Sequence, residues 1–209
     1  YFIIADVAGK GIHAGMVMAK ASTLFEVLAQ SKVDPDEMVF HMNNDLNNTK
    51  TAGMFVTSIV GEYNLITDEI RWVNAGHQPA ILRNGQGKYD QFESSAPPLG
   101  VIKQKDKSVY NIHKTKLNGS RFYAFTDGLS ESLNDNGEEI GIDGSIGIIE
   151  QNYNKDTIKQ LDSITQSVIG TSQNRKLSDD LTLISIGTVS YTHLRAHETS
   201  LHLVCRLLL

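Results

Sequence analysis

Between residues 54 and 126 the sequence breaks into short β-type runs, with helical patterns on either side of the block rather than between its strands. Runs at 54–63, 70–74 and 80–83 are divided by Asn64, Asp68 and the pair Asn84-Gly85. Residues 109–117 alternate, and 121–126 form a compact aromatic run that stops at Asp127. Ahead of the block, an apolar run at 1–5 ends at Asp6 and a glycine turn, Gly9-Lys10-Gly11. Residues 13–30 then carry Met16, Ala19, Leu24, Val27 and Leu28 at helical spacing. Asp34-Pro35 opens a second helix to about residue 48, with Asp34 as cap and Pro35 at the first helical position. Behind the block come a polar, glycine-rich loop at 134–144, two helical stretches to about residue 169, and a last strand at 181–186. Helix pair, strand block, helix pair, strand predicts an α+β sandwich rather than alternating βαβ units.

The 209 residues suit one domain with a real core, and 40% hydrophobic with 21% charged residues is ordinary for a globular chain. A net charge of −5 and a pI near 5.8 provide no general attraction to nucleic acid or anionic membrane. The single cysteine, Cys205, excludes an internal disulfide and fits a reducing, cytoplasmic setting. No apolar run reaches the roughly 18 residues that span a bilayer. Because Tyr1 sits inside an apolar run, the sequence reads as a piece of a longer protein, whose upstream domains could anchor it to a membrane. The segment 189–209 differs in composition: it holds His193, His197 and His202 and no Gly or Asp. It reads as a non-native tail resembling adaptor read-through, outside the domain at 1–188.

Three acidic positions share one property. Asp6 and Asp127 end apolar runs, and Asp179 with Asp180 begins another. In an antiparallel sheet one strand's end lies beside its neighbour's start, so the three would gather on one rim if the last strand runs opposite to the other two. Like charges about 4 Å apart repel by roughly 4 kcal/mol per pair at an effective dielectric near 20, which calls for a cation among them. Oxygen-only ligands favour Mg²⁺ or Mn²⁺ over zinc. Taken singly, Asp127-Gly128 also reads as a turn and Asp179 as a solvated strand entry.

The motifs, in order, are Ala5-Asp6-Val7-Ala8-Gly9-Lys10-Gly11, Phe55-Val56-Thr57, Asn74-Ala75-Gly76-His77, Pro97-Pro98-Leu99-Gly100, Thr126-Asp127-Gly128-Leu129 and Ser178-Asp179-Asp180-Leu181-Thr182. Together they resemble the metal-dependent protein phosphatase (PPM) family, in its bacterial sporulation and sigma-factor-regulating branch. The resemblance implies a four-layer α/β/β/α sandwich of two antiparallel sheets flanked by helices, with a binuclear Mn²⁺ or Mg²⁺ site at one edge. It implies that Asp6 bridges both ions, that the Val7 carbonyl ligates one, and that Asp127 and Asp179 hold them from other strands. The reaction implied is hydrolysis of phosphoserine or phosphothreonine on a regulatory protein, in this branch often an anti-anti-sigma factor. Attack is by a water activated between the ions, so no phosphoenzyme forms. Two departures stand out: the family's upstream Gly-Asp ligand precedes Tyr1, and the position two after Asp6, a histidine in some relatives, is Ala8. Lys10 is a candidate phosphate contact beside a helix N-terminus. His77 reads as a structural hydrogen-bonding residue, and the first helical pair as a carrier of regulatory switching.

Two other readings compete. Gly9-x-Gly11-x-x-Ala14 meets the loose dinucleotide fingerprint, but no second parallel strand ending in an acid follows about 20 residues on. No P-loop is present, and no Asp-x-Asp follows an early strand. A non-catalytic interaction module on the same fold is the other alternative.

Overall fold

Antiparallel pairing builds two sheets. The computed structural model describes residues 1–49, 53–134, 136–153, 157–170, 180–189 and 200–208. These fall into two units, one comprising 1–79 and 92–116, the other 80–91 and 117–209.

In the first unit β1 (Phe2–Val7), β2 (Val56–Asn64), β3 (Glu69–Ala75) and β6 (His113–Lys116) form a sheet in the order β1-β2-β3-β6. Register pairs Val7 with Val56, Asp6 with Thr57, and Ile59 with Asn74. Because side chains alternate across a strand, Val7, Val56, Val60, Val73 and Ala75 share one face. They are buried there under α1 (Ile12–Gln30) and α2 (Pro35–Asn48), with Ala14, Val17, Ala21, Met38, Val39, Met42 and Leu46 in the same cluster. The other face carries Phe2, Ile4, Ile59 and Trp72 and becomes polar at one end, at Asp6, Thr57 and Asn74.

Among the described helices, α1 has the length and composition to cross a membrane, with 19 residues and a mean hydropathy of 1.2. This corrects the sequence reading, which found no apolar run of that length. Here its small residues pack into the core, and Lys20 reaches Asp45 at 2.6 Å on α2. The expected Asp34 cap is corrected in part: Pro35 opens α2, but the Asp34 side chain makes no capping hydrogen bond. Its carboxylate accepts instead from Arg71 at 3.0 Å, which also reaches Glu62 at 2.6 Å.

In the second unit β4 (Ala80–Arg83), β5 (Tyr89–Phe92), β7 (Arg121–Phe125), β8 (Leu181–Val189) and β9 (Ser200–Leu208) are ordered β5-β4-β7-β8-β9. Ile81, Tyr123, Phe125, Leu181 and Leu183 form a core with Leu129 of α3 (Asp127–Ser130), Ile149 of α4 (Gly141–Gln151), and Leu161, Ile164 and Val168 of α5 (Thr157–Gly170). The class is α+β with two antiparallel sheets and helices, as the element order predicts. β5 and β9 have no counterpart in the sequence reading, which ended at a last strand at 181–186 and set 189–209 apart as a tail. The expected strand at 109–117 shortens to β6, preceded by a 3-10 turn at Lys107–Val109 that Asp106 caps through the Ser108 N–H at 2.7 Å.

Helix α4 is tied to β4 by charge. Arg83 donates to both Glu150 oxygens, at 2.7 and 3.0 Å, stacks 3.3 Å above the Tyr153 ring centroid, and Tyr89 donates its hydroxyl to Glu150. The Arg83 hydrogen bonds, followed by that from Tyr89, hold the Glu150 carboxyl down at about 2. With its folded pKa below the unfolded one, the pair stabilises the fold above the ordinary carboxylate range, and that contribution is lost as the pH falls toward 2. Urea titrations at about pH 6 and about pH 3 should therefore show a smaller loss of stability in Glu150→Gln than in the unaltered chain. An equal loss in both would show that the pair is unimportant to acid sensitivity.

Candidate active site

Asp6 lies half-buried near the end of β1, on the sheet face opposite α1 and α2. After Val7 the chain turns sharply. The Ala8 N–H donates to Phe55 O at 2.9 Å, and Gly9 and Gly11 take φ of 129° and 82°, a region costly for any side chain. Gly11 then caps α1, whose first turn has no acidic residue, and Lys10 is exposed between the two glycines.

The motif residues around Asp6 form one hydrogen-bonded frame. Thr57, paired with Asp6, has its hydroxyl 2.9 Å from His77 Nδ1. The His77 N–H donates to Asn74 Oδ1 at 2.9 Å, and Asn74 Nδ2 donates to Gln78 O at 3.0 Å. Ser94 Oγ accepts from the Gly76 N–H at 2.6 Å and donates to Ala96 O at 2.8 Å. Gly76 has φ of 71°, and a Cβ there would sit 2.6 Å from Pro98 Cδ, so no other residue fits without moving the proline. Leu99 and Val56 exchange backbone hydrogen bonds at 2.8 and 2.9 Å. His77 is buried in this frame, in keeping with the structural reading of that residue.

The second frame belongs to the other unit. Asp127 is half-buried at the first position of α3, directly after β7. Thr126 donates its hydroxyl to Asp180 O at 2.9 Å and accepts from the Thr182 N–H at 2.9 Å; its own N–H reaches Thr182 O at 3.1 Å. The end of β7 is thereby fastened to the start of β8, which runs antiparallel to it. β1, however, belongs to the other sheet, so the single sheet rim expected to carry all three aspartates is not formed, and only the Asp127 and Asp180 ends are neighbours in one ladder. Asp180 is exposed. Asp179 lies outside the described residues, and Asp6 and Asp127 belong to different units. Among the described residues no three His, Cys, Asp or Glu side chains form a ready ligand group.

A second set of residues escaped the sequence reading. Asn43 Oδ1 accepts from the Gly100 N–H at 3.0 Å and its Nδ2 donates to Ile102 O at 3.0 Å. Asn44 does the same for Gln104, accepting at 2.9 Å and donating at 3.0 Å. Four asparagines within Asn43-Asn44-Asp45-Leu46-Asn47-Asn48 were the available signal, because asparagine is a poor helix former whose side chain competes for backbone groups.

The family model described as Stage II sporulation protein E (SpoIIE) matches residues 1–189, and the chain belongs to that family. It is 27% identical over 185 residues to the phosphoserine phosphatase RsbU of Bacillus subtilis, covering 87% of this chain and 53% of RsbU. The chain thus spans about half the length of that relative. Among solved structures it is similar to the RsbU and RsbW domains of a Mycobacterium tuberculosis protein, with a TM-score of 0.70, 20% identity, and coverage of 88% of this chain and 50% of the other. It is also similar to RsbX in complex with magnesium, with a TM-score of 0.62, 23% identity, and coverage of 88% and 78%. These likenesses identify the fold.

Two substitutions test the frames. Gly76→Ala should destabilise the chain by about 2 kcal/mol or more, through the clash and the positive φ, seen as a lowered urea midpoint. Thr126→Val keeps the shape but strands the Thr182 N–H and should cost about 1–3 kcal/mol. A midpoint unchanged in either variant would mean the corresponding frame is not holding its loop.

Proposed function

We propose that this chain is a phosphatase domain that hydrolyses phosphoserine or phosphothreonine on a regulatory protein, such as an anti-anti-sigma factor. The observation that carries the reading is membership of the SpoIIE family over residues 1–189, with Asp6 and Asp127 each at the end of an apolar strand inside a hydrogen-bonded frame. RsbU, which bears the name phosphoserine phosphatase, supports the substrate class.

The donors offered by Asp6, Asp127, Asp179 and the Val7 carbonyl are all oxygen, which suits Mn²⁺ or Mg²⁺. The magnesium complex of RsbX supports that choice, and we assign these four residues as ligands of two such ions. When bound, the ions would lower the pKa of water toward about 7 and offset charge on the phosphoryl oxygens. What the chain itself contributes is placement. The Thr57–His77 contact ties β2, at the level of Asp6, to the turn after β3, and Thr126 holds Asp127 beside the start of β8. Lys10, in the turn before α1, is assigned to the substrate phosphate, where the helix dipole also favours an anion. We take 1–188 as the family's domain, in keeping with the family match ending at 189; β9, which lies in 189–209, adds an edge strand to the second sheet beside β8.

Asp6→Asn and Asp127→Asn should each lower Mn²⁺-dependent release of phosphate from a phosphoserine peptide by about a thousandfold or more, with little change in thermal midpoint. Full activity in either variant would sink the assignment. A folded chain that carries the upstream Gly-Asp strands and still hydrolyses no phosphate ester with Mn²⁺ or Mg²⁺ would favour the non-catalytic interaction module.

A further inference from the structure

The segment from Gly100 to Lys105 is an exposed loop held as firmly as a strand. Asn43 and Asn44 engage the backbones of Gly100, Ile102 and Gln104 through four hydrogen bonds of 2.9–3.0 Å. Gly100 itself turns with φ of 89°. The side chains this loop presents do not suit a solvated turn. Val101 and Ile102 are 47% and 55% exposed, two adjacent branched aliphatics facing water on a backbone that cannot fold them away.

The charges of the loop are also unusual for the chain. With 24 acidic and 19 basic residues the protein is net negative, yet 100–105 contains Lys103 and Lys105 and no acid. Lys107, just beyond, is neutralised by Asp36 at 3.2 Å and Glu37 at 3.3 Å, and Asp106 is turned to cap the 3-10 turn. Lys103 donates to the neutral Asn48 at 2.9 Å and keeps its charge unopposed. Among the described residues Lys105 forms no ion pair. The surface therefore pairs an apolar patch with uncompensated positive charge.

Its position links it to Asp6. Leu99, the residue before the loop, pairs with Val56, which pairs with Val7 on its other side. Two strand spacings put Leu99 about 10 Å from Val7, next to Asp6. Asp6 faces away from α2 while the loop is bonded to α2, so only a macromolecule that extends past the sheet edge meets both, whereas a small ester at Asp6 does not touch the loop.

We infer that residues 100–105, clamped by Asn43 and Asn44, are a docking surface for an acidic phosphoprotein whose apolar patch covers Val101 and Ile102. The identity of the partner as the substrate rests on the hydrolase reading above. Lys103 and Lys105 meet its acidic side chains, which speeds and orients encounter, and the two aliphatics supply the buried contact.

The test uses phosphoserine-bearing casein as the acidic phosphoprotein and p-nitrophenyl phosphate as the small ester, both with Mn²⁺. The triple variant Val101→Ser/Ile102→Ser/Lys105→Glu, checked for an unchanged thermal midpoint, should raise KM for casein about tenfold with kcat unchanged. Its kinetics on the small ester should stay within about twofold. The same charge reversal in the turn after α1, Lys32→Glu, should leave casein KM unaltered. An unchanged casein KM in the triple variant would overturn the proposal, as would a parallel loss on the small ester or an equal effect of Lys32→Glu. If the unaltered chain, carrying its upstream Gly-Asp strands, turns over neither probe, the hydrolase reading fails instead, and direct titration of the chain onto immobilised phosphocasein decides docking: tenfold weaker binding of the triple variant supports it, and equal binding overturns it.

Discussion

The close approach of Gly76 to Pro98 is the contact on which the first unit's frame turns. Only a residue without Cβ lets the loop at 97–100 come near enough for Leu99 to pair with Val56. That pairing extends the sheet past the end of β3, and fixes β2 at the level where Thr57 faces Asp6. The buried polar groups then satisfy one another: Thr57 with His77, His77 with Asn74, Gly76 with Ser94. A network of this kind is worth having only when complete, because each buried group left alone costs about 1–3 kcal/mol. Motif residues that carry no chemistry themselves are therefore needed to keep Asp6 where it is.

The second unit reaches the same end with less. One threonine, Thr126, exchanges three hydrogen bonds with 180–182, so the aspartate after it is set by the ladder between β7 and β8 rather than by a loop. Both aspartates stand where a strand's order is handed to a turn. A carboxylate there has a strand's hydrogen-bonded backbone behind it.

Much of this was legible in the sequence because apolar runs, glycine pairs and turn residues are local signals. The runs ending at Asp6 and Asp127, the helix opened by Pro35 and the boundaries of β4 all follow from them. The misses share a cause. β5, Tyr-Asp-Gln-Phe, carries too little apolar alternation to announce a strand and exists because its sheet accepts it. Asp34 has the chemistry of a cap, but Arg71, distant in sequence, draws its carboxylate away. The asparagine clamp on 100–104 joins residues nearly 60 positions apart, beyond any periodicity. Asp179, whose role came from resemblance, lies outside the described residues.

The alternation of sheet faces has a further consequence for how such a chain can vary. Asp6 sits opposite the helices solely by strand parity: Val7 goes under α1 and α2 while Asp6 points the other way. Inserting or deleting one residue within β1 would exchange the two faces, burying the carboxylate among methionines and valines and exposing the core. Descent can lengthen the turns at 64–68 or 84–88 freely, whereas β1 tolerates substitution but not a change in length.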